Sequence, residues 1–81
     1  MTANKDLKNK IKILLSSILA IDVNELQDDT TMNDIESWDS LKHLQIIIQL
    51  EIEFDLHIND QEAVTLVDLE KIFLLIQKNS K

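Results

Sequence analysis

Apolar residues recur along this chain with helical spacing in three long stretches. Leu7, Ile11, Leu14, Leu15 and Ile18 fall at i, i+4, i+7, i+8 and i+11, which is one face of a helix over residues 5–19. Asn4 stands where an N-cap belongs, and Asp6 suits a first turn. In residues 40–54, Leu41, Leu44, Ile47, Ile48 and Phe54 make one stripe and Ile46, Leu50 and Phe54 a second, with Ile52 widening the surface. A helix apolar over so broad an arc packs on one side and has surface left for a cavity or a docking face on the other. Asp39 or Ser40 caps its start, and it ends near Asp55, a residue type that tolerates left-handed backbone. The third stretch covers residues 66–78, with Val67, Leu69, Ile72, Phe73 and Ile76 on the buried face. Thr65-Leu66-Val67-Asp68 has the form of a helix-opening capping box.

Between these stretches the pattern changes. Residues 20–38 form a long connection. Asp22-Val23-Asn24-Glu25 predicts a single helical turn within it, capped by Asp22. Asp28, Asp29, Thr30, Thr31, Asn33 and Asp34 favour bonds to their own backbone over continued helix. Connections longer than about 12 residues are uncommon in small domains and are often functional. Leu26, Met32, Ile35 and Trp38 are expected to pin this one to the core. Asn59-Asp60-Gln61-Glu62 predicts a short helix over residues 59–64. The expected fold is all-α: a four-helix bundle of three longer helices and one short third helix, with a long loop between helices one and two. Residues 1–81 make a single domain.

Composition narrows the chemistry. There is no cysteine, glycine or proline, so no disulfide or thiolate metal site is available, and tight primed hairpin turns are hard to build. His43 and His57 alone close no zinc site. No apolar run has the roughly 18 residues of a membrane span, no leader pattern is seen, and a cytoplasmic protein is expected. The formal net charge is −7 and uneven: Lys5, Lys8, Lys10 and Lys12 against Asp6 make the first stretch +3, and the remainder is −10. An acidic body argues against nucleic acid and against insertion into an anionic membrane. It suits partners with basic docking patches, reached by electrostatic steering. Self-repulsion of the acidic part predicts a melting temperature that rises with salt.

Trp38-Asp39-Ser40-Leu41 is the most informative tetrad. A serine in the first turn of a helix sits in the positive field of the helix N-terminus, where a phosphate ester meets unpaired backbone N–H groups and gains about 0.3–1 kcal/mol. Ser40 and His43 share a helix face at i, i+3. A hydrolase also needs an oriented base and an oxyanion hole, and no acid partner for His43 is evident. We expect no catalytic residues, no metal ligands and no enzyme.

Asp39-Ser40-Leu41, followed by the apolar helix ending Leu50-Glu51-Ile52-Glu53-Phe54, resembles the acyl carrier protein family. The likeness extends to the acidic loop before the serine, the short helix after residue 58 and Thr65-Leu66-Val67-Asp68-Leu69. It covers about residues 7 to 78. It implies a monomeric carrier whose Ser40 bears 4′-phosphopantetheine, taken from coenzyme A by a separate phosphopantetheinyl transferase using magnesium. The thiol of that arm would hold an acyl or aminoacyl group. A loading ligase and a downstream acyltransferase or synthase would be the other partners. Asp39 would support the modification site. Leu41, Ile48, Glu51 and Glu53 would meet partner enzymes, and Leu44, Ile47, Ile58 and Val64 would line a cargo channel. His43 is expected on the surface, as a partner contact or a solvated residue, and His57 in a loop.

The chain departs from the fatty-acid carriers in two ways. Many of those place glycine before Asp-Ser, where this chain has Ser37-Trp38. Their second helix is thickly acidic, whereas here Lys42, His43, Gln45 and Gln49 leave only Asp39, Glu51, Glu53 and Asp55. The Trp-Asp-Ser-Leu form with His43 looks more like stand-alone carriers of specialised pathways, among them secondary-metabolite clusters. The competing expectation is a small helical interaction module that is never modified.

Overall fold

The structure is a computed structural model and describes residues 2–79. Four helices follow one another: α1 (Thr2–Leu19), α2 (Ser40–Phe54), α3 (Asp60–Ala63) and α4 (Leu69–Asn79). Single 3-10 turns lie at Val23–Glu25 and Met32–Asp34 between α1 and α2. The all-α bundle with a short third helix is as expected, and α2 spans the stretch its apolar stripes predict. α1 begins at Thr2, so Asn4 lies inside the helix and is not its cap.

α1 packs against both α2 and α4. Each contributes a buried row: Ile11, Leu15 and Leu19 from α1, Ile46, Ile47 and Leu50 from α2, and Leu69, Ile72 and Ile76 from α4. Leu19 extends the α1 row by one further i+4 step. Leu7, Leu14 and Ile18 flank it, half-buried. Of the expected pins, Leu26 and Trp38 are buried, while Met32 and Ile35 pack against the core half-buried. Of the two α2 stripes, the one containing Ile46 and Leu50 faces the core; Leu41, Leu44, Ile48 and Ile52 face outward.

With no glycine available, α1 and α2 stop on other residues in left-handed backbone. Ala20 (φ 57°) follows α1, and Ile21 N–H donates to Ser16 C=O at 3.1 Å. Asp55 (φ 52°) follows α2, and Leu56 N–H donates to Glu51 C=O at 3.2 Å. Each closure turns the chain out of its helix with a backbone bond to the last turn.

The long connection is stitched down from several sides. Asp22 caps its 3-10 turn through a reciprocal box with Glu25. The buried Thr30 hydroxyl accepts from Gln27 N–H at 2.7 Å, and Asp34 accepts from Thr31 N–H at 2.9 Å. Residues Thr31 and Asp68 form an antiparallel bridge, in which Met32 N–H donates to Val67 C=O and Leu69 N–H to Thr30 C=O. This bridge corrects the expected start of the last helix. Val67 C=O and Leu69 N–H are bonded to the connection, so α4 begins at Leu69, capped by Asp68 through Lys71 N–H at 2.7 Å. The Thr65 hydroxyl turns back to Glu62 C=O instead of capping α4.

Candidate functional site around Ser40

Ser40 is the first residue of α2 and is exposed. Its position follows from its neighbours. Trp38 is buried and anchors the incoming chain. Ser37 Oγ donates to Leu19 C=O at 2.9 Å, tying the same segment to the end of α1. Asp39 is the N-cap: its extended backbone breaks the helix, and its Oδ1 accepts from Lys42 N–H at 2.9 Å.

Because Asp39 takes the capping role, the Ser40 hydroxyl is not needed for it. Among the described residues no hydrogen bond engages that hydroxyl, and the backbone N–H groups of Ser40 and Leu41 are likewise without acceptors. An exposed nucleophile-type oxygen thus stands beside two unpaired donors at the positive end of a 15-residue helix, a setting that favours an attached phosphate. The adjacent carboxylate, that of Asp39, is held by its bond to the Lys42 N–H.

His43 stands differently from expectation. It is half-buried and points inward. Its Nδ1 accepts the Trp38 indole N–H at 3.0 Å, and its Nε2 lies 2.8 Å from Ala63 C=O at the end of α3. The rings stack with centroids 6.0 Å apart. A carbonyl only accepts and an indole N–H only donates, so these two partners select the neutral tautomer protonated on Nε2. Both nitrogens are occupied, and His43 is no base for Ser40. The sequence carries a signal for this pair only in hindsight: Trp38 and His43 are five apart across a helix start. His57 lies in the loop as expected, exposed, with Nδ1 3.4 Å from Glu51.

The remaining candidates separate. Leu41 and Ile48 are exposed, as partner contacts must be. Glu53 is also exposed. Glu51 turns inward instead: its Oε2 accepts the Ile58 N–H at 2.8 Å, closing the turn from α2 towards α3, and lies 3.4 Å from His57 Nδ1. The four channel candidates do not share one environment. Ile47 and Ile58 lie in the core at 5% exposure each, whereas Leu44 (55%) and Val64 (72%) are at the surface. Two open clefts are lined by other residues. One of about 310 Å³ lies between α1, α4 and the connection, beside Asp28 and Phe73. The other, of about 450 Å³, lies between α1 and α2, beside Ile13, Leu14 and Glu53. Among the described residues no group of three or more His, Cys, Asp or Glu side chains could hold a metal ion, and no helix is long and apolar enough to cross a membrane.

An acidic helical bundle that offers one exposed serine at a helix start has the architecture of a carrier domain. The chain matches no protein-family model. It is 33% identical over 76 residues to the acyl carrier protein of Buchnera aphidicola subsp. Schizaphis graminum, covering 94% of this chain and 96% of that protein. The acyl carrier protein of Buchnera aphidicola subsp. Acyrthosiphon pisum (strain Tuc7) is 32% identical over 94% of this chain and 95% of its own length. That of Lactobacillus acidophilus is 36% identical over 62 residues, covering 75% of this chain and 76% of that protein. The chain belongs to the acyl carrier protein family.

Proposed function

We propose that this chain is a carrier loaded at Ser40 with 4′-phosphopantetheine, and that it presents cargo to partner enzymes without catalysing a reaction itself. The observation that carries this reading is the exposed, unengaged Ser40 hydroxyl at the first position of α2, with its cap supplied by Asp39. The arm supplies a thiol, absent from the chain itself, on which an acyl or aminoacyl group is held as a thioester. The protein's own share is positional. Asp39 fixes the helix start, the free N–H groups of Ser40 and Leu41 face the phosphodiester, and Leu41 and Ile48 offer apolar contacts to visiting enzymes. Leu44 and Val64, at the surface, and Ile47 and Ile58, in the core, are the residues we assign to contact with the cargo.

The partners in this reading are a phosphopantetheinyl transferase, a loading ligase and a downstream acyltransferase or synthase. The carrier works as a cytoplasmic monomer. The reduced acidity of α2 and the Trp-Asp-Ser-Leu segment support a role in a specialised pathway.

The test is the intact mass of the folded protein after incubation with coenzyme A and a broad-specificity phosphopantetheinyl transferase. One added phosphopantetheine, lost in Ser40→Ala, is expected. A folded sample that gains no mass overturns the proposal. A gain that survives Ser40→Ala moves the arm to another residue. The exposed apolar row of α2 also fits an unmodified interaction module; full function of Ser40→Ala in the cell would favour that reading.

A further inference from the structure

Trp38, two residues before the serine, is almost fully buried, and its indole N–H is the only polar group of its side chain. A buried donor without an acceptor is costly. The acceptor comes from the other side of the helix start: His43 Nδ1, one turn into α2. The same ring reaches Ala63 C=O with its second nitrogen. Three elements therefore meet on one imidazole: the segment that delivers Ser40, the first turns of α2 and the end of α3. Ser37 Oγ also ties this segment, to Leu19 C=O at the end of α1, but that bond reaches neither α2 nor α3. Asp39 holds the helix start from outside, through Lys42 N–H, and His43 holds it from inside.

We infer that His43 is a positioning residue for Ser40: in its Nε2–H tautomer it clamps Trp38 and the end of α3, and so fixes the direction in which the serine hydroxyl is offered to the loading enzyme. The inference rests on the reading that Ser40 is the loading site. Loading bonds the Ser40 oxygen, whose proton passes to a base of the transferase, to the pantetheine-bearing phosphorus of coenzyme A as the pyrophosphate bridge breaks and adenosine 3′,5′-bisphosphate leaves. The oxygen must therefore meet that phosphorus in line, and small errors in placement cost rate steeply. The outer face of α2, which includes Leu41 and Ile48, does not depend on the clamp. Loss of the clamp therefore slows the transfer step and leaves recognition by the transferase largely intact.

The experiment compares wild type with His43→Leu, His43→Asn and Trp38→Phe, using phosphopantetheine transfer from coenzyme A at a temperature where circular dichroism shows each variant folded. His43→Leu removes both bonds. His43→Asn sets an amide oxygen near the place of Nδ1 and keeps an acceptor for Trp38. Trp38→Phe removes the donor and leaves the histidine. Expected is a kcat about tenfold lower for His43→Leu and Trp38→Phe with KM for the carrier within about twofold, and recovery of most of kcat in His43→Asn. The double variant His43→Leu/Trp38→Phe should be no slower than His43→Leu alone, because His43→Leu already removes the bond that Trp38→Phe removes. Trp38 is the sole tryptophan, so its indole N–H resonance reports the clamp directly: it should lose exchange protection in His43→Leu and keep it in His43→Asn.

Wild-type kcat in folded His43→Leu overturns the inference, as does an equal loss in His43→Asn with the indole still protected. If His43→Leu does not fold, the contrast between His43→Asn and Trp38→Phe decides in the same way. Failure of the wild type itself to load would instead defeat the carrier reading.

Discussion

The two ends of α2 are each closed by a carboxylate, and the two closures leave opposite things exposed. At the start, Asp39 bonds Lys42 N–H and frees the serine beside it. At the far end, Glu51 reaches inward to Ile58 N–H and keeps little for the outside. Glu53, two residues on, bends no turn and remains at the surface. Acidic residues on one helix thus divide between holding the fold and standing free at the surface, and sequence position alone does not say which does which.

The largest effect expected from this contrast is at Glu51. Glu51→Ala strands a buried-side N–H at Ile58 and should cost about 1–3 kcal/mol in urea unfolding, while Glu53→Ala should stay within about 0.5 kcal/mol. Glu51→Gln, which keeps an acceptor oxygen, should recover most of the loss. The roles reverse in loading. Charge reversal at Glu53 should slow transfer by about three- to tenfold at low salt with the melting temperature unchanged. Equal stability losses at positions 51 and 53 would dissolve the division of labour.

At the opposite end of α2, Asp39→Ala removes the cap and should cost about 1 kcal/mol, with Asp39→Asn close to wild type because its side-chain oxygen still accepts. If Asp39→Ala left stability untouched, the cap would be decorative and the freedom of the Ser40 hydroxyl would need another cause. The left-handed ends give a gain instead. Ala20→Gly should stabilise the protein by up to about 1 kcal/mol, since alanine is forced into left-handed backbone there. Asp55→Gly should gain less, because aspartate tolerates that region better. Chemical denaturation of the two variants side by side ranks the two helix ends.

Much of this architecture is legible in the amino-acid order because helical periodicity and capping are local. The stripe over residues 40–54, the box Asp22-Val23-Asn24-Glu25 and the cap Asn59 to Glu62 all lie within a few residues of what they stabilise. The misses are long-range. The start of α4 moved to Leu69 because Thr30 and Met32, more than thirty residues earlier, claim the backbone of residues 67–69. Nothing in the sequence sets Glu51 apart from Glu53, because its partner, Ile58 N–H, is a backbone atom on the far side of a turn. His43 turned inward for the same reason: one of its two partners is the Ala63 carbonyl, which no side-chain pattern announces. Ser40 is legible at the start of α2 because the capping Asp39 and the apolar stripe that follows are both local signals.

The smallest effect lies where the basic start of the chain meets its acidic body. Asp28 accepts from Lys12 at 2.8 Å and Lys8 at 3.3 Å, and hydrogen bonds from Lys12 and Lys8 hold its carboxyl below the ordinary aspartate value of 3.8. Its side chain is 63% exposed, so solvent screens the pairing and Asp28→Asn should cost no more than about 0.5–1 kcal/mol. A folded-state pKa lowered in this way contributes stability that is complete above the unfolded value and disappears as the pH falls through the folded one. The difference between wild type and Asp28→Asn should therefore hold at neutral pH and vanish in strong acid. Salt should act on the two proteins unequally. It screens the general repulsion in both, raising both melting temperatures, but it also weakens the Asp28 pairs that only wild type has. The variant should gain more from salt, and the two curves should converge. A gap that stayed constant from dilute buffer to molar salt would mean that Asp28 acts through packing or its backbone and not through charge.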